Sequence, residues 1–372
     1  MFLKKLDIQG VRNIRHAVLS PAPGINLVCG DNGSGKTSLL EAIYLLSRGR
    51  SFRTRNLKAI INTAAEQCTV FCLLADRDAP DQRETPLGVT RDAQGGFQFK
   101  ISGRHIRTAS ELAETLPVLM MNSDSIGLIE GGPGSRRKFL DWGVFHVEHG
   151  FREAWRNFQR CHKQRNYLLR RGNITLPQLP AWDREFALLS EQVADYRQRH
   201  FERLEPASCR VLAALSGVES LDLRLFRGWN PNTTMLEALE RDRARDLQAG
   251  LTHSGAHRAD LKLRCDGRPA AEVLSRGQAK LVVLALLIAQ GQILGSVAER
   301  TCVYLLDDLA AELDYKHLAG GMDLLADMGA QVFITGTNKK TLQAVLPKSS
   351  VGQTALFHVE QGAVKQENSE LA

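Results

Sequence analysis

Gly-Asp-Asn-Gly-Ser-Gly-Lys-Thr, Gly30 to Thr37, is built from residues suited to hold phosphate. Small residues let backbone N–H groups close around an anion, Lys36 carries a cation to the terminal phosphates, and Thr37 offers its hydroxyl to magnesium. Gly30, Asp31, Asn32, Gly33, Ser34, Gly35, Lys36, Thr37 and Ser38 are therefore the first candidates for nucleotide contact. Such a loop needs an apolar strand ending in an acid, and Cys-Val-Tyr-Leu-Leu-Asp-Asp, Cys302 to Asp308, has that form. Asp307 is placed to hold the metal and Asp308 to orient or deprotonate an attacking water. Lys36, Asp307 and Asp308 make the candidate catalytic set, Thr37 and Asp307 the candidate metal set, and ATP with Mg2+ the expected cofactors.

Leu274–Gln278 reads Leu-Ser-Arg-Gly-Gln and stands directly before the apolar run Ala279 to Leu294. Ser275 and Gly277 then fall at or near a helix N-terminus, where unpaired backbone N–H groups favour an anion. With one phosphate loop in the chain, Ser275, Arg276, Gly277 and Gln278 have no second nucleotide of their own to serve. The economical reading is that they complete the γ-phosphate site of another copy, so that two heads close on two nucleotides.

The elements that must position these residues are legible in outline. The phosphate loop lies between the β-rich Ile25 to Cys29 and the helical Thr37 to Ser47. Alternating segments such as Cys68 to Ala75 and Leu87 to Gly103, with a hairpin turn at Gly95-Gly96, predict a mostly antiparallel lobe. From about Ala113 the periodicity is helical and rich in arginine, broken by the proline-containing loop Gly172 to Pro180, which predicts a helical hairpin. Hairpins, including one at Asp266-Gly267, and alternating strands and helices follow from about Gly228. The expected division is a discontinuous head, 1–112 and 229–372, with a helical arm, 113–228, inserted into it. The polar tail from Lys365 is expected to fray.

The formal net charge is +7. Between Arg136 and Arg171 ten lysines and arginines stand against three acids, and Arg48 to Lys58 has five basic residues and no acid. On the helix starting at Phe151, apolar Phe151, Trp155, Phe158 and Leu169 share a face beside a stripe of Arg152, Arg156, Arg160 and Lys163. Clustering of this kind points to a polyanion, first of all nucleic acid. Candidate contacts are Arg48, Arg50, Arg53, Arg55, Lys58, Arg136, Arg137, Arg152, Arg156, Arg160 and Lys163. Seven scattered cysteines read as reduced core residues. Cys68 with Cys72, and His253 with His257, lack a second pair at zinc spacing. Neither a signal core nor an apolar run long enough to span a bilayer is evident, so the expected location is the cytoplasm.

The phosphate loop, Leu-Ser-Arg-Gly-Gln, Leu-Leu-Asp-Asp and Ala-Glu-Leu-Asp (Ala311 to Asp314), in this order, resemble the ATP-binding-cassette set. Together with Leu3 to Ile14, Gly30 to Arg53, Ile129 to His146 and His257 to Leu261, they closely resemble the RecF family, SMC-class recombination mediators without the long coiled coil. The resemblance covers nearly the whole chain. It implies an α/β ABC/SMC-type P-loop ATPase head, a mixed sheet with helices plus an antiparallel β lobe, carrying an inserted helical arm. It also implies an ATP-dependent homodimer that binds double-stranded DNA and single-strand/double-strand junctions and hydrolyses ATP slowly. RecO and RecR are the implied partners in loading RecA onto gapped DNA. Asn122, after Pro117 to Met121, resembles a magnesium-sensing position, with Asp124 the alternative; Ala311 to Asp314 resembles the loop joining two facing sites. Asp308 stands where many related ATPases have glutamate, which predicts slow turnover. Arg276 departs from the usual glycine, and no histidine follows Phe333 to Thr337, leaving Thr335 as its stand-in. A transporter's nucleotide-binding subunit fits poorly with a stripe of arginines. A non-hydrolysing ATP-gated clamp is the other alternative. GTP is disfavoured because Thr337 to Thr341 lacks the acid that reads guanine.

Overall fold

The computed structural model describes residues 1–54, 56–77, 84–171, 179–218, 220–350 and 352–367. They form two compact units, one of Met1–Ser125, Ala214–Gly217 and Lys280–Ala372, the other of Ile126–Ala213 and Val218–Ala279.

In the first unit, β1 (Phe2–Val11), β2 (Ile14–Leu19), β4 (Gln67–Ala75), β5 (Glu84–Asp92), β6 (Phe97–Ile101) and β7 (Arg104–Ile106) make an antiparallel sheet ordered β2-β1-β4-β5-β6-β7. The expected turn at Gly95-Gly96 joins β5 to β6. A second sheet, ordered β15-β14-β3-β13-β12-β8, contains β3 (Ile25–Cys29), β8 (Val118–Met121), β12 (Val303–Leu306), β13 (Gln331–Gly336), β14 (Thr354–Glu360) and β15 (Ala363–Glu367). Its strands run parallel except for edge strand β15. Every residue of β3, β12 and β13 is buried, as expected for parallel strands covered on both faces. Helix α1 (Lys36–Arg48) joins the two sheets: Leu39, Leu40, Ile43 and Leu46 share one core with Leu6, Ile8 and Val70 of the first sheet and Val28, Leu305 and Phe333 of the second. Helices α2 (Ala109–Thr115), α9 (Tyr315–Asp327) and α10 (Lys339–Ala344) complete this unit together with most of α8 (Arg276–Ala298). By length and composition α8 has what a bilayer crossing needs, but 72% of its most apolar stretch is buried inside the protein, the condition of a core helix.

The second unit holds α3 (Pro133–Val147), α4 (Phe151–Arg171), α5 (Leu179–Leu215), α6 (Met235–Ala249), the one-turn α7 (Ala270–Val273) and a small sheet of β9 (Leu221–Phe226), β10 (Asp260–Cys265) and β11 (Arg268–Pro269), ordered β11-β10-β9. Asp266 and Gly267 both have positive φ, 51° and 74°, the two-residue turn expected between β10 and β11. On α4, Phe151, Ala154, Phe158, Cys161, Arg165 and Leu169 are buried, one stripe at helical spacing. Of the loop expected at Gly172 to Pro180, residues 172–178 lie outside the described residues, while Leu179 and Pro180 already open α5. Of the tail expected to fray from Lys365, Lys365 to Glu367 instead pair with β14 in β15, and the rest, from 368, lies outside the described residues, as does Arg55.

These units divide the chain elsewhere than at 112/113 and 228/229. Residues 113–125 join the first unit because β8 pairs in parallel with β12, from Val118↔Val303 to Met121↔Leu306. Residues 229–279 join the second because β10 pairs with β9, from Asp260↔Phe226 to Cys265↔Leu221. Strand partners distant in sequence, which local periodicity does not encode, decide both boundaries.

Candidate nucleotide-binding site

The phosphate loop leaves β3 at Gly30, where a Cβ would run into the Val359 carbonyl of β14, so the close approach requires glycine. Lys36, the first residue of α1, is 5% exposed. Its Nζ donates to the carbonyl oxygens of Gly30 at 2.8 Å and Asp31 at 3.0 Å, which folds the ammonium back over its own loop. Asn13, in the β1–β2 turn, donates to the Ser34 carbonyl at 2.9 Å and accepts from Ser38 Oγ at 2.9 Å. The Gly362 amide, in the β14–β15 turn, donates to the same carbonyl at 2.7 Å. Two turns thus hold the loop in shape from outside it.

Parallel pairing brings the C-terminal ends of β3, β13, β12 and β8 to one edge of the sheet, the usual ligand edge of such sheets. Asp307 follows β12, and its amide donates to the Met121 carbonyl at 2.8 Å. Thr37 donates to Asp307 Oδ1 at 3.1 Å and Thr335 donates to the same oxygen at 2.8 Å. The Asp308 amide in turn donates to Thr335 Oγ1 at 2.8 Å. Thr335 is fully buried, so its hydroxyl positions Asp307 and Asp308 rather than reaching into the cavity. Burial pushes the Asp307 carboxyl above its ordinary range, Asp308 adds to this, and the two threonine hydroxyls and Lys36 offset part of it. A bound cation reverses that balance. Asp308 sits at φ 53°, in the left-handed region that aspartate enters more readily than most side chains. Asn122 follows β8 beside Asp307 and is half-buried, its Oδ1 accepting from Ser125 Oγ at 3.0 Å; Asp124 is exposed.

A cavity of about 730 Å3 opens over the loop, lined by Asn32, Gly33, Gly35, Lys36, Thr37, Ser38 and Asp308 and walled further by Arg12, Asn13, Arg15, Arg53 and Asn62. Its volume suits a nucleotide-sized ligand. Ser34 Oγ is buried without a partner. This orphan hydroxyl, the Lys36 cation and the adjacent Thr37 and Asp307 oxygens fit a triphosphate with a hard, oxygen-loving cation. Sequence reasoning did not single out Arg12, Asn13, Arg15 and Asn62 individually. They come from a turn and from a segment beyond the basic stretch, and the Val-Arg-Asn-Ile run at Val11 to Ile14 was the available signal. Arg12 donates to the fully buried Glu41 of α1 at 2.8 and 2.9 Å, which anchors that turn.

Ser275, in the second unit, caps α8. Its Oγ accepts from the Gln278 amide at 3.3 Å, and Gln278 Oε1 accepts from the Ser275 amide at 3.0 Å, a reciprocal capping box. These bonds use the Ser275 oxygen as acceptor and leave its O–H as a donor. Ser275, Arg276, Gly277 and Gln278 are all exposed.

The basic residues separate into groups. Arg156, Arg160 and Lys163 are exposed on α4 and Arg152 is half-buried beside them. Arg136 is bound by Asp260 at 2.7 and 3.1 Å and by the Gly131 carbonyl at 2.6 Å; Arg137 donates to the Ala259 carbonyl at 2.7 Å, and burial lowers its pKa. Those two guanidiniums tie α3 to β10 and its approach instead of extending the α4 stripe. Arg165, counted in the same cluster, is fully buried. In the first unit Arg50, Arg53 and Lys58 are exposed, Arg53 on the cavity wall, whereas burial at the end of α1 lowers the pKa of Arg48. Six cysteines are buried and Cys209 is exposed.

The family model of the RecF/RecN/SMC N terminal domain matches residues 2–363. The chain is 44% identical over 366 residues to the DNA replication and repair protein RecF of Stutzerimonas stutzeri (strain A1501), covering 98% of each chain. It is 44% identical over 368 residues to the protein of the same name from Pseudomonas aeruginosa (strain LESB58), again covering 98% of each. Among solved structures, that of the recombination mediator protein RecF-ATP in the RecFOR pathway aligns with a TM-score of 0.85 at 25% identity, over 99% of this chain and 98% of that one. The SmcHead bound to the C-winged helix domain of ScpA shares the fold, with a TM-score of 0.61 at 17% identity over 100% and 99% of the two chains.

Proposed function

The chain belongs to the RecF family, and on that premise we propose that it is a cytoplasmic ATP- and Mg2+-dependent DNA repair and replication protein. In this reading it dimerises on ATP, binds duplex and gapped DNA, hydrolyses ATP slowly and works with RecO and RecR to load RecA. The observation that carries the ATPase part is the continuous linkage Thr37–Asp307–Thr335–Asp308 at the mouth of a phosphate-loop cavity.

ATP with Mg2+, when bound, supplies the phosphoanhydride bond and the positive charge that the raised Asp307 carboxyl lacks. Lys36 would exchange its loop carbonyls for phosphate oxygens, and Thr37 and Asp307 would hold the metal. Asp308, turned into the cavity mouth by its left-handed backbone, orients the water and takes its proton. The Ser275 O–H donates to the terminal phosphate of a second copy, an arrangement motivated by its uncommitted donor on an exposed helix N-terminus. Arg156, Arg160 and Lys163, with Arg152, meet DNA phosphates without reading bases.

The test is the hydrolysis rate per subunit against protein concentration, with and without duplex and gapped DNA. A rate that rises with concentration and with DNA is expected. A rate per subunit independent of concentration would sink the shared site, and one indifferent to DNA would sink the DNA-dependent cycle.

A further inference from the structure

The end of the long helix α5 is seated among the ATPase elements of the first unit. Ala214–Gly217 belongs to that unit although the rest of α5 belongs to the other. Gly217 lies against Leu281 of α8 so closely that a Cβ would collide with the leucine side chain, and its other near neighbour is His317 Nε2. Leu215 packs beneath Gly320 of α9. The segment is therefore wedged between the helix capped by Ser275 and the helix that follows Ala311 to Asp314. Lys280 of α8 pairs with Glu312 of the Ala311 to Asp314 loop at 2.7 Å, a direct tie between that helix and that loop.

His317 bridges it. Asp314, the N-cap of α9, accepts from the His317 amide at 3.1 Å through Oδ1 and from His317 Nδ1 through Oδ2. On the other edge of the ring, Nε2 lies 3.3 Å from the Ser216 carbonyl oxygen. A carboxylate and a carbonyl only accept, so making both bonds at once takes a donor on each ring nitrogen, as the imidazolium form has. A neutral ring makes one of the two bonds and loses the other. The backbone and side-chain bonds from His317 also hold the Asp314 carboxyl below its ordinary range. The 214–217 segment carries no titratable side chain, and the nearest charge on α8, Lys280, is paired with Glu312.

We propose that His317, as an imidazolium, is a positioning residue that clamps the end of α5 to the Ala311–Asp314 loop and so transmits the DNA-bound state of the second unit to ATP hydrolysis. The coupling rests on the function proposed above, but the clamp is read from geometry alone. His317 touches neither the cavity nor the Thr37–Asp307–Asp308 linkage.

The experiment uses the full chain and measures ATP hydrolysis with and without saturating duplex DNA, from about pH 5.5 to about pH 8, where histidine side chains change charge. Wild-type stimulation by DNA should fall as pH rises, while the basal rate does not follow it. His317→Gln should lose about fivefold or more of the stimulation, the low end for coupled sites, at unchanged basal rate and with no residual pH trend. His317→Arg, a permanent cation with several donors, should restore stimulation and keep it at high pH. Equal stimulation of wild type and His317→Gln across the range overturns the coupling alone. A wild-type rate that ignores DNA at every pH overturns the functional reading and the coupling together.

Discussion

Two polar clusters, one in each unit, use the same residue types to opposite ends. In the second unit, Arg165, Asp183 and Asp246 are fully buried: Arg165 meets Asp183 at 2.9 Å and Asp246 at 2.8 Å, and also donates to Thr252 at 2.7 Å. His253 and Arg243 add contacts to Asp246 and Asp183. This cluster joins α4, α5 and α6, and each carboxylate has a cation beside it. In the first unit, Asp307 and Asp308 stand side by side with hydroxyls and one lysine for company, and they border a cavity. A charge cluster that is closed and compensated serves architecture. One left with surplus negative charge at an opening is poised for a cation and a ligand.

The sharpest way to break this contrast is Asp308→Asn. It should slow ATP hydrolysis by about 10²-fold or more, the usual weight of a general base, while nucleotide binding and unfolding stay as in wild type. Unchanged turnover would show that Asp308 is not the hydrolytic residue. The reciprocal change is Arg165→Leu, which removes the buried cation that Asp183 and Asp246 share, leaves them only the contacts from Arg243 and His253, and should cost about 3–5 kcal/mol of stability. All four tryptophans, Trp142, Trp155, Trp182 and Trp229, lie in the second unit, so fluorescence-detected urea unfolding reports that unit directly. Unaltered unfolding would show that the cluster is not a structural tie.

Acid should weaken the second unit in a defined window. His162 and His257 stack at 4.0 Å, and burial lowers their pKa values to about 4 and about 3. Unfolding frees both rings to take up protons, so their contribution is complete above about pH 6.5 and is lost as pH falls toward the folded values. The loss is at most about 1.4 kcal/mol per pH unit for each ring. Tryptophan fluorescence at successive pH values checks this, and a flat urea midpoint between pH 6.5 and 4 would refute it. The smallest effect belongs to the exposed stripe. Arg156→Ala, Arg160→Ala and Lys163→Ala together should weaken duplex binding and reduce the salt slope by up to about 0.9 per lost contact. Urea unfolding should not change; binding that keeps its slope would return these residues to an ordinary solvated face.

The phosphate loop, the acid-ended strand and the capped apolar helix were legible because each depends on covalent spacing: a strand, a turn of fixed length and a helix place Lys36, Thr37 and Ser275 with little help from elsewhere. The basic cluster was only half legible. Arg165 has the same side chain as Arg156 and Arg160 and lies in the same helix, but its position on the buried stripe sends it inward to Asp183 and Asp246. Arg136 likewise looked like surface charge until β10 brought Asp260 against it.

By itself the sequence determined the groups proposed to bind phosphate and metal, and the helix N-terminus proposed to serve the nucleotide of another copy. Tertiary structure alone decided that Thr335 ties Asp307 to Asp308, that Asn13 and Gly362 brace the phosphate loop, and that His317 meets the end of α5. Those contacts join residues far apart in the chain. Their existence depends on which strands pair and which helices close on them, and no local pattern encodes that choice.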